Sequence, residues 1–540
     1  MTRGPVAQSQ FGYRCSPDQD RREARYPVVV VGAGPVGLCA AIDLAQRGVP
    51  VVLLDDSDRI GQGSRGICYA KRTLEILDRL GVAQKCLEKG VTWKLGKVFR
   101  GQELLYGFDL LPEAGHKMPA FINLQQYHLE RFLVDRAAAL PNLEIRWRNK
   151  VTDLAPRNDG AVLTIDTPDG PYPVHAAWVV AADGARSTLR RLLGLDFKGE
   201  VFEDRFLIAD VKMSGEFPPE RWFWFDPPFH SGRSALLHKQ PDDIWRIDLQ
   251  LGPDADPKAE QQPQRVLPRL RQMLGHDQFS LEWVSVYSFQ CRRLERFVHG
   301  RVVFVGDAAH QVSPFGARGA NSGIQDAENL AWKLALVLRG DAPESLVESY
   351  DLERSAAADE NIGHSTRSTD FIAPRSAQEV RFRDAVLSLA REAPFAKRMV
   401  NSGRLSAPTT YRSPLSTPDD AGWTGDARLG APLPDAPLQD GQGRPTWLLD
   451  TLGGEPTLLH LRDGEPPDPI PGLRTVVIGT DLLDAEGVFA RRYDATPGAT
   501  YLVRPDQHLA ARWRTCRPGA VAAAWKRACG LSSERSYAEA

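Results

Sequence analysis

Pro27–Val28–Val29–Val30–Val31–Gly32–Ala33–Gly34–Pro35–Val36–Gly37 and, one helix later, Val51–Val52–Leu53–Leu54–Asp55–Asp56 decide the fold of this chain. The run Pro27–Val31 is apolar and β-branched throughout, the pattern of a strand buried on both faces of a parallel sheet. Gly32, Gly34 and Gly37 follow at once in the spacing G-x-G-x-x-G, and Ala40–Gln46 reads as a helix ending near Gly48. Val51–Leu54 is a second buried strand, so residues 27–55 make one βαβ unit. In such a unit the first glycine permits a tight turn, the second lets the backbone approach a pyrophosphate, and the third allows close helix–strand packing. The helix start adds unpaired N–H groups and positive potential. Asp55 ends the second strand, placed to accept hydrogen bonds from a ribose; with Asp56 it would repel the 2′-phosphate of NADP. The dinucleotide expected here is FAD or NAD.

The whole chain sets looser bounds. Its 540 residues suggest about three domains. Hydrophobic residues at 42% and charged residues at 25% are those of an ordinary globular protein, and a net charge of −2 gives no reason to expect nucleic acid. The longest apolar stretch, Val28–Ile42, is rich in glycine and stops at Asp43, too short to span a bilayer, so no membrane partner is expected. The seven cysteines are scattered and never spaced C-x-x-C, which predicts neither a disulfide framework nor a metal site and favours a reducing, cytoplasmic setting. Residues 1–26 lack an apolar signal core and are expected to be a mobile tail.

Further along, Trp222–Leu251 is dense in aromatics and alternates apolar with polar, as in Ala235–Leu236–Leu237–His238 and Trp245–Arg246–Ile247–Asp248–Leu249. That is antiparallel sheet with one solvated or ligand-facing side. Arg301–Val305 returns to the buried-strand pattern and Asn321–Leu338 is a long amphipathic helix, so the nucleotide domain is interrupted by a sheet and then completed. The expected organisation is an α/β fold: a dinucleotide domain over 27–195 and 295–405, and an antiparallel substrate domain over 196–294 with part of 90–125. A Pro- and Gly-rich linker over 406–430 and a small α/β domain over 431–540 follow, the latter with strands Thr446–Leu449, Thr457–Leu461, Thr475–Ile478 and Thr500–Val503 and a helix Val521–Cys529.

Two further segments repeat the strand–turn–helix design. Val179–Val180–Ala181–Ala182–Asp183–Gly184–Ala185–Arg186–Ser187 is one; Val305–Gly306–Asp307–Ala308–Ala309–His310 is the other, followed by the loop Pro314–Phe315–Gly316–Ala317–Arg318–Gly319–Ala320–Asn321. Glycine-rich turns before helices aim backbone N–H groups at an anionic ligand. With all three segments in place, residues 27–350 resemble the single-component (class A) FAD-dependent aromatic hydroxylases, the group of p-hydroxybenzoate, phenol and 3-(3-hydroxyphenyl)propionate hydroxylases and pentachlorophenol monooxygenase.

The resemblance implies a Rossmann-type FAD domain of the p-hydroxybenzoate hydroxylase type. It also implies a flavin hydroperoxide that hydroxylates a phenolic ring with O2, and NADH or NADPH as electron donor without a fingerprint of its own. It assigns FAD contacts to Arg65, Gln126, Asp183, Gly306, Asp307, Gly319, Ala320 and Asn321, beside Gly32, Gly34, Gly37 and Asp55. It likens the C-terminal part to a thioredoxin-like appendage, without C-x-x-C and so without redox activity, serving packing or a homodimer. Two departures stand out: Asp55–Asp56 replaces Glu–Arg, and Ala317–Arg318 fills the middle of a loop that commonly reads P-x-G-G-x-G-x-N. Arg318 beside the flavin ring is placed to stabilise a reduced anion, and backbone N–H groups near Asn321 and Ser322 to face the ring's pyrimidine edge.

An unperturbed phenol has a pKa of ~10, so attack on its phenolate calls for a base or a hydrogen-bond network. His238, Tyr287 and Arg246 are the catalytic candidates from the sheet, with His230 beside them and Pro314 at the head of the flavin loop. Of Trp222, Phe223, Trp224 and Phe225, alternation lets one pair line a pocket while the other is core. The competing readings are a flavin oxidase or halogenase on the same domain, disfavoured by the absence of G-W-x-W-x-I, and a non-catalytic nucleotide-binding protein.

Overall fold

A computed structural model describes residues 10–20, 24–61, 63, 65–215, 217–400, 405–419, 422–463 and 466–531. Ala24–Val31 lies at the centre of a parallel sheet, between Val51–Asp55 and Tyr172–Ala181, with Leu143–Trp147 and Val302–Phe304 outside them. Val28, Val29 and Val30 are fully buried, as a run without polar alternation requires. The following helix starts at Pro35, earlier than expected, because proline is favoured in the first helical turn, where its missing N–H costs nothing. It packs between helices Gln126–Ala138 and Gly319–Arg339.

The antiparallel sheet crosses five strands of the central segment in the order Ser280–Arg293, Lys198–Lys212, Ile244–Gln250, Ser234–Lys239, Arg221–Phe225. Leu95–Arg100 and Glu103–Asp109 join its edge from earlier in the chain. A three-stranded sheet, Cys68–Ala70, Phe121–Asn123 and Val91–Trp93, carries Trp93 and Phe121 in a small apolar cluster with Leu405 against it.

Three expectations change. Residues 10–20 are not a mobile tail: Phe11 stacks on Trp147 at 4.3 Å between ring centres, and buried Asp18 pairs with Arg146 at 2.9 Å and accepts the Tyr26 hydroxyl at 2.6 Å. The remaining residues of that stretch up to 23 lie outside the described residues. The segment from Ser406 packs rather than links, because its aromatic residue has a partner on each side. Tyr411 is buried, its hydroxyl accepts from Arg354 at 2.8 Å and its ring stacks on His508 at 4.7 Å. Thr446–Leu449 is strand only to Trp447; Leu448–Leu452 turns into a helix whose leucines face the core.

The C-terminal domain is a mixed seven-stranded sheet, with Thr457–Leu461 and Thr500–Val503 as the pattern predicts, closed by helix Ala520–Ala528. A buried ionic network fastens it to the nucleotide domain. Arg504 pairs with Glu353 at 2.6 Å and with Asp506, Lys333 meets the same Glu353 at 2.7 Å, and Arg72 bridges Glu328 at 2.8 Å to the Asp506 carbonyl at 2.9 Å. Glu353 is held below the usual carboxylate range, chiefly by Arg504, against the opposing cost of burial.

Candidate flavin and substrate site

One cavity of about 1640 Å³ runs from the glycine turn to the inner face of the antiparallel sheet. Single ligands occupy sites of roughly 300–1,000 Å³, so this space suits two molecules side by side. It is lined by Gly32, Gly34, Asp55, Arg65, Gln126, Asp183, Asp307, Pro314, Gly319, Ala320 and Asn321 and, on the sheet, by His238, Arg246 and Tyr287. Two of the expected residues, Gly37 and Gly306, lie behind this wall.

The glycines do different work. A Cβ on Gly32, which has φ +106°, would sit 2.5 Å from the Ala182 carbonyl oxygen, and one on Gly37 would sit 1.9 Å from the Gly32 oxygen. Both are glycine for the protein's own packing. A Cβ on Gly34 would meet nothing within 4 Å, although Gly34 lines the cavity. Gly306, at φ +58°, is pressed on Val36 and donates its N–H to Asp326 at 2.9 Å.

The acidic residues are arranged around this turn. Asp55 accepts from the Ala33 amide at 2.6 Å and the Ser57 amide at 2.8 Å, which fixes the glycine turn and still leaves lone pairs for a hydroxyl, since a carboxylate offers about four acceptor sites. Burial raises its carboxyl, and the two amides oppose the rise. Asp183 caps helix Thr188–Leu192 through the Leu189 amide at 3.0 Å, while its other oxygen, Oδ1, is buried without a partner. Asp307 opens on the cavity yet is surrounded by protein; burial raises its carboxyl against the pull of His310 and Arg65.

Gln126 and Glu130 brace the segment carrying Arg65. Gln126 accepts from the Gly66 amide at 3.1 Å and donates to Glu130 at 2.7 Å, and Glu130 accepts from Gly61 at 2.6 Å. Arg65 thereby projects its charge toward Asp307, Glu130 and Tyr287.

Helix Gly319–Arg339 begins against the cavity. The Ser322 amide already donates to the Arg318 carbonyl at 2.7 Å, so the N–H groups left for a ligand are those of 319–321, one residue earlier than expected. Asn321 uses its side chain to hold the roof, donating to the Cys68 carbonyl at 2.9 Å and accepting from Ala70 at 2.8 Å. Arg318 is buried beneath its own loop, donating to the Phe315 carbonyl at 3.0 Å. Ala317 adopts φ +53°, the left-handed conformation for which glycine is the usual residue, so the loop keeps its shape at the cost of strain of order 1–2 kcal/mol.

On the sheet, register places Trp283, Asp210, Arg246 and His238 in one row, and Arg221 adjoins it one residue beyond the Trp222–Leu237 pair. The next row on that face reads Ser285, Ile208, Asp248, Leu236. Arg246 is neutralised by Asp210, at 2.9 Å to each oxygen. His238 has Nδ1 buried without a partner, and burial, then Arg221 and Arg246, push its pKa well below the ordinary value. It is a neutral imidazole at physiological pH.

Tyr287 lies three strands from His238, roughly 14 Å across the sheet, so the two do not share one hydroxyl. His230 is not at the cavity: its Nε2 meets the Gln250 carbonyl at 2.6 Å. Neither pair from Trp222–Phe225 lines the cavity either. Phe223 and Phe225 fill one core and Trp222 and Trp224 another, because Arg221 is the only residue of that strand at the lining.

Among the lining residues that were not expected are Arg221, Asp248, Trp93 and Cys68. Asp248 was within reach of the sequence, since it stands two residues from Arg246 on a strand and so shares its face. Burial pushes its carboxyl up to about 6, with Asp210 adding to the rise and Arg246 and Arg221 opposing it.

Comparison with known proteins supplies a relationship. The FAD binding domain family matches residues 25–365. A flavin-dependent monooxygenase of Mycobacteroides abscessus is 30% identical over 507 residues, covering 89% of this chain and 96% of its own. The 12-dehydrotetracycline 5-monooxygenase/anhydrotetracycline 6-monooxygenase of Streptomyces rimosus is 30% identical over 500 residues, covering 90% and 95%. Among solved structures, the flavin-dependent monooxygenase PieE, in complex with FAD and substrate, shares the fold with a TM-score of 0.80 at 23% identity over 94% of this chain and 99% of that one.

Proposed function

The chain belongs to the FAD binding domain family of flavin-dependent monooxygenases, and from that membership we propose that it is an FAD-dependent hydroxylase of a phenolic ring, using O2 and NAD(P)H. Its relatives are named monooxygenases, among them a para-nitrophenol 4-monooxygenase of Pseudomonas, which speaks against a halogenase, an oxidase or a non-catalytic nucleotide binder. The observation that carries the reading is the single cavity joining the glycine turn to the polar face of the sheet.

The residues suit FAD. The open space at Gly34, the free Oδ1 of Asp183 and the unengaged carboxylate of Asp307 are features that the protein's own packing leaves over and a dinucleotide uses. Gly32, Gly34 and the helix start at Pro35 would take the pyrophosphate, Asp55 the ribose, and Asp307 the sugar-like chain between phosphate and ring. The amides of 319–321 would face the ring. Bound FAD supplies the redox chemistry by which NAD(P)H electrons activate O2 for insertion into an aromatic C–H bond.

The protein's task is to orient and desolvate. Leu236, Ile208 and Phe289 give the substrate an apolar floor, Trp93 and Leu405 a cover, and His238 a neutral ring in the wall. Pro314 shapes the loop under the ring, and Tyr287 and Arg246 set the polarity of the wall. The free cysteines and the site's redox chemistry fit a reducing, cytoplasmic setting.

The test is to load the protein with FAD and supply NADH or NADPH with phenols under 18O2. One labelled oxygen in the product is expected. Failure to take up FAD, or NAD(P)H oxidation that no phenol accelerates, overturns the proposal.

A further inference from the structure

Two charged groups at the substrate end lack partners. Arg221 lines the cavity, half-buried, and among the described residues its guanidinium forms no hydrogen bond or ion pair; its neighbour is the ring of Phe223, 5.6 Å from centre to charge. Asp248 lines the same cavity, and its Oδ1 is buried without a hydrogen-bond partner. They sit two strands apart, roughly 10 Å along the hydrogen-bonding direction, and form no ion pair, yet each feels the other's charge.

A buried charge left without a partner costs several kcal/mol, and the nearest opposite charges do not relieve this one. Arg246 is occupied by Asp210, and His238, between Arg221 and Arg246 in register, is neutral. Cys68, across the cavity, is pushed up to about 12 and stays a thiol. The unmet needs are therefore one hydrogen-bond donor for Asp248 and one oxygen acceptor for Arg221, held on strands two apart in the sheet.

Resting on the hydroxylase reading, we propose that Asp248 and Arg221 select the substrate class: a phenol whose hydroxyl donates to Asp248 and whose ring carries a second acceptor oxygen, carboxylate or ketone, that accepts from Arg221. A bare phenol satisfies only half of this pair. Leu236 and Ile208 flank Asp248 within its own row, so the ring between the two contacts lies on apolar surface. Arg221 gives a fork of donors that a carboxylate meets with two bonds and a ketone with one.

The experiment is equilibrium dialysis of the FAD-loaded protein against phenol, 3-hydroxybenzoate and 3-hydroxyacetophenone. The two acceptor-bearing phenols are expected to bind at least ~10-fold more tightly than phenol, the worth of one charge-assisted hydrogen bond. Preference for the benzoate would assign the anion, and equal binding of the two the carbonyl oxygen. Arg221→Gln should abolish the discrimination while leaving phenol binding and FAD content unchanged, and Arg221→Lys should retain part of it.

With Asp248 the ionised acceptor, affinity for 3-hydroxybenzoate should rise from pH 5 to 7 in the wild type and stay flat in Asp248→Asn. The charged groups around it are Asp210, paired with Arg246, and Arg221; both arginines stay charged in that interval, and His238 stays neutral. Equal affinity of the wild type for all three probes overturns the inference even if a variant fails to load FAD. So does an Arg221→Gln protein that weakens all three probes by the same factor. Absence of FAD uptake by the wild type would instead strike the hydroxylase reading itself, which keeps the two failures apart.

Discussion

Gly34 and Gly37 stand three residues apart in one turn, and alanine at each should fail in a different way. At Gly37 the new Cβ would lie 1.9 Å from the Gly32 oxygen and 3.0 Å from the Ala182 Cβ, contacts that helix and strand can relieve only by moving apart. Overpacking of this kind costs about 1–3 kcal/mol or more, so the apo-protein itself is destabilised. At Gly34 the backbone has φ −75° and ψ 178°, which alanine adopts freely, and the Cβ meets no protein atom within 4 Å.

The lost flexibility of the unfolded chain stabilises by about 0.4–1 kcal/mol, and the weaker helix N-cap opposes it by a similar amount. Gly34→Ala should therefore leave urea unfolding of the apo-protein within about 1 kcal/mol of wild type, while FAD affinity falls at least ~10-fold because the methyl occupies the approach of the pyrophosphate. Unfolding curves of apo-protein and quenching of FAD fluorescence on titration measure the two effects separately. A Gly34→Ala protein that binds FAD as the wild type does would refute the placement of the pyrophosphate on this turn.

Three other outcomes follow from the same geometry. Arg504→Met removes the cation that balances Glu353 and Asp506 in the buried network, and should cost about 3–5 kcal/mol in urea unfolding; an unchanged midpoint would show that the network does not fasten the C-terminal domain. Asp248 binds its proton more tightly in the fold, at about 6, than in the unfolded chain. The native state thus holds more protons between about pH 3.9 and that value, and the site's contribution to stability falls as pH rises through this window. Asp248→Asn should remove that part of the slope and make the apo-protein more stable at pH 7, seen in paired unfolding series; a variant with the wild-type slope would contradict it. Deleting residues 1–20 takes away the Phe11–Trp147 stack and the Asp18–Arg146 pair, and should lower the thermal midpoint without abolishing FAD binding.

Much of the nucleotide end was legible because its features are local. The strand, the glycine spacing and the acid after the second strand all fall within residues 27–56, and each has a steric or electrostatic reason that survives without tertiary context. The sheet end was less legible because its chemistry depends on register between strands distant in sequence. Arg246 and His238 could be singled out by residue type, but that Asp210 neutralises Arg246, and that burial leaves His238 neutral, emerges only when the strands are paired. Asp248 stands in the alternation beside Arg246 and shares its face, whereas nothing local to Arg221 marks it as a lining residue; its place comes from the pairing of its strand with Ser234–Lys239. The N-terminal stretch differs for a simpler reason: polar, charged sequence suggests a tail, whereas Phe11 finds its partner in Trp147, far along the chain.

We place FAD along Gly32–Gly37, with its ring between residues 314–321 and the sheet face bearing His238 and Asp248. A crystal structure of the FAD-loaded protein tests it most directly. Pyrophosphate density is expected at the Gly34–Pro35 helix start and ring density at the amides of 319–321; FAD bound elsewhere, or a ring turned away from that sheet face, would overturn the placement.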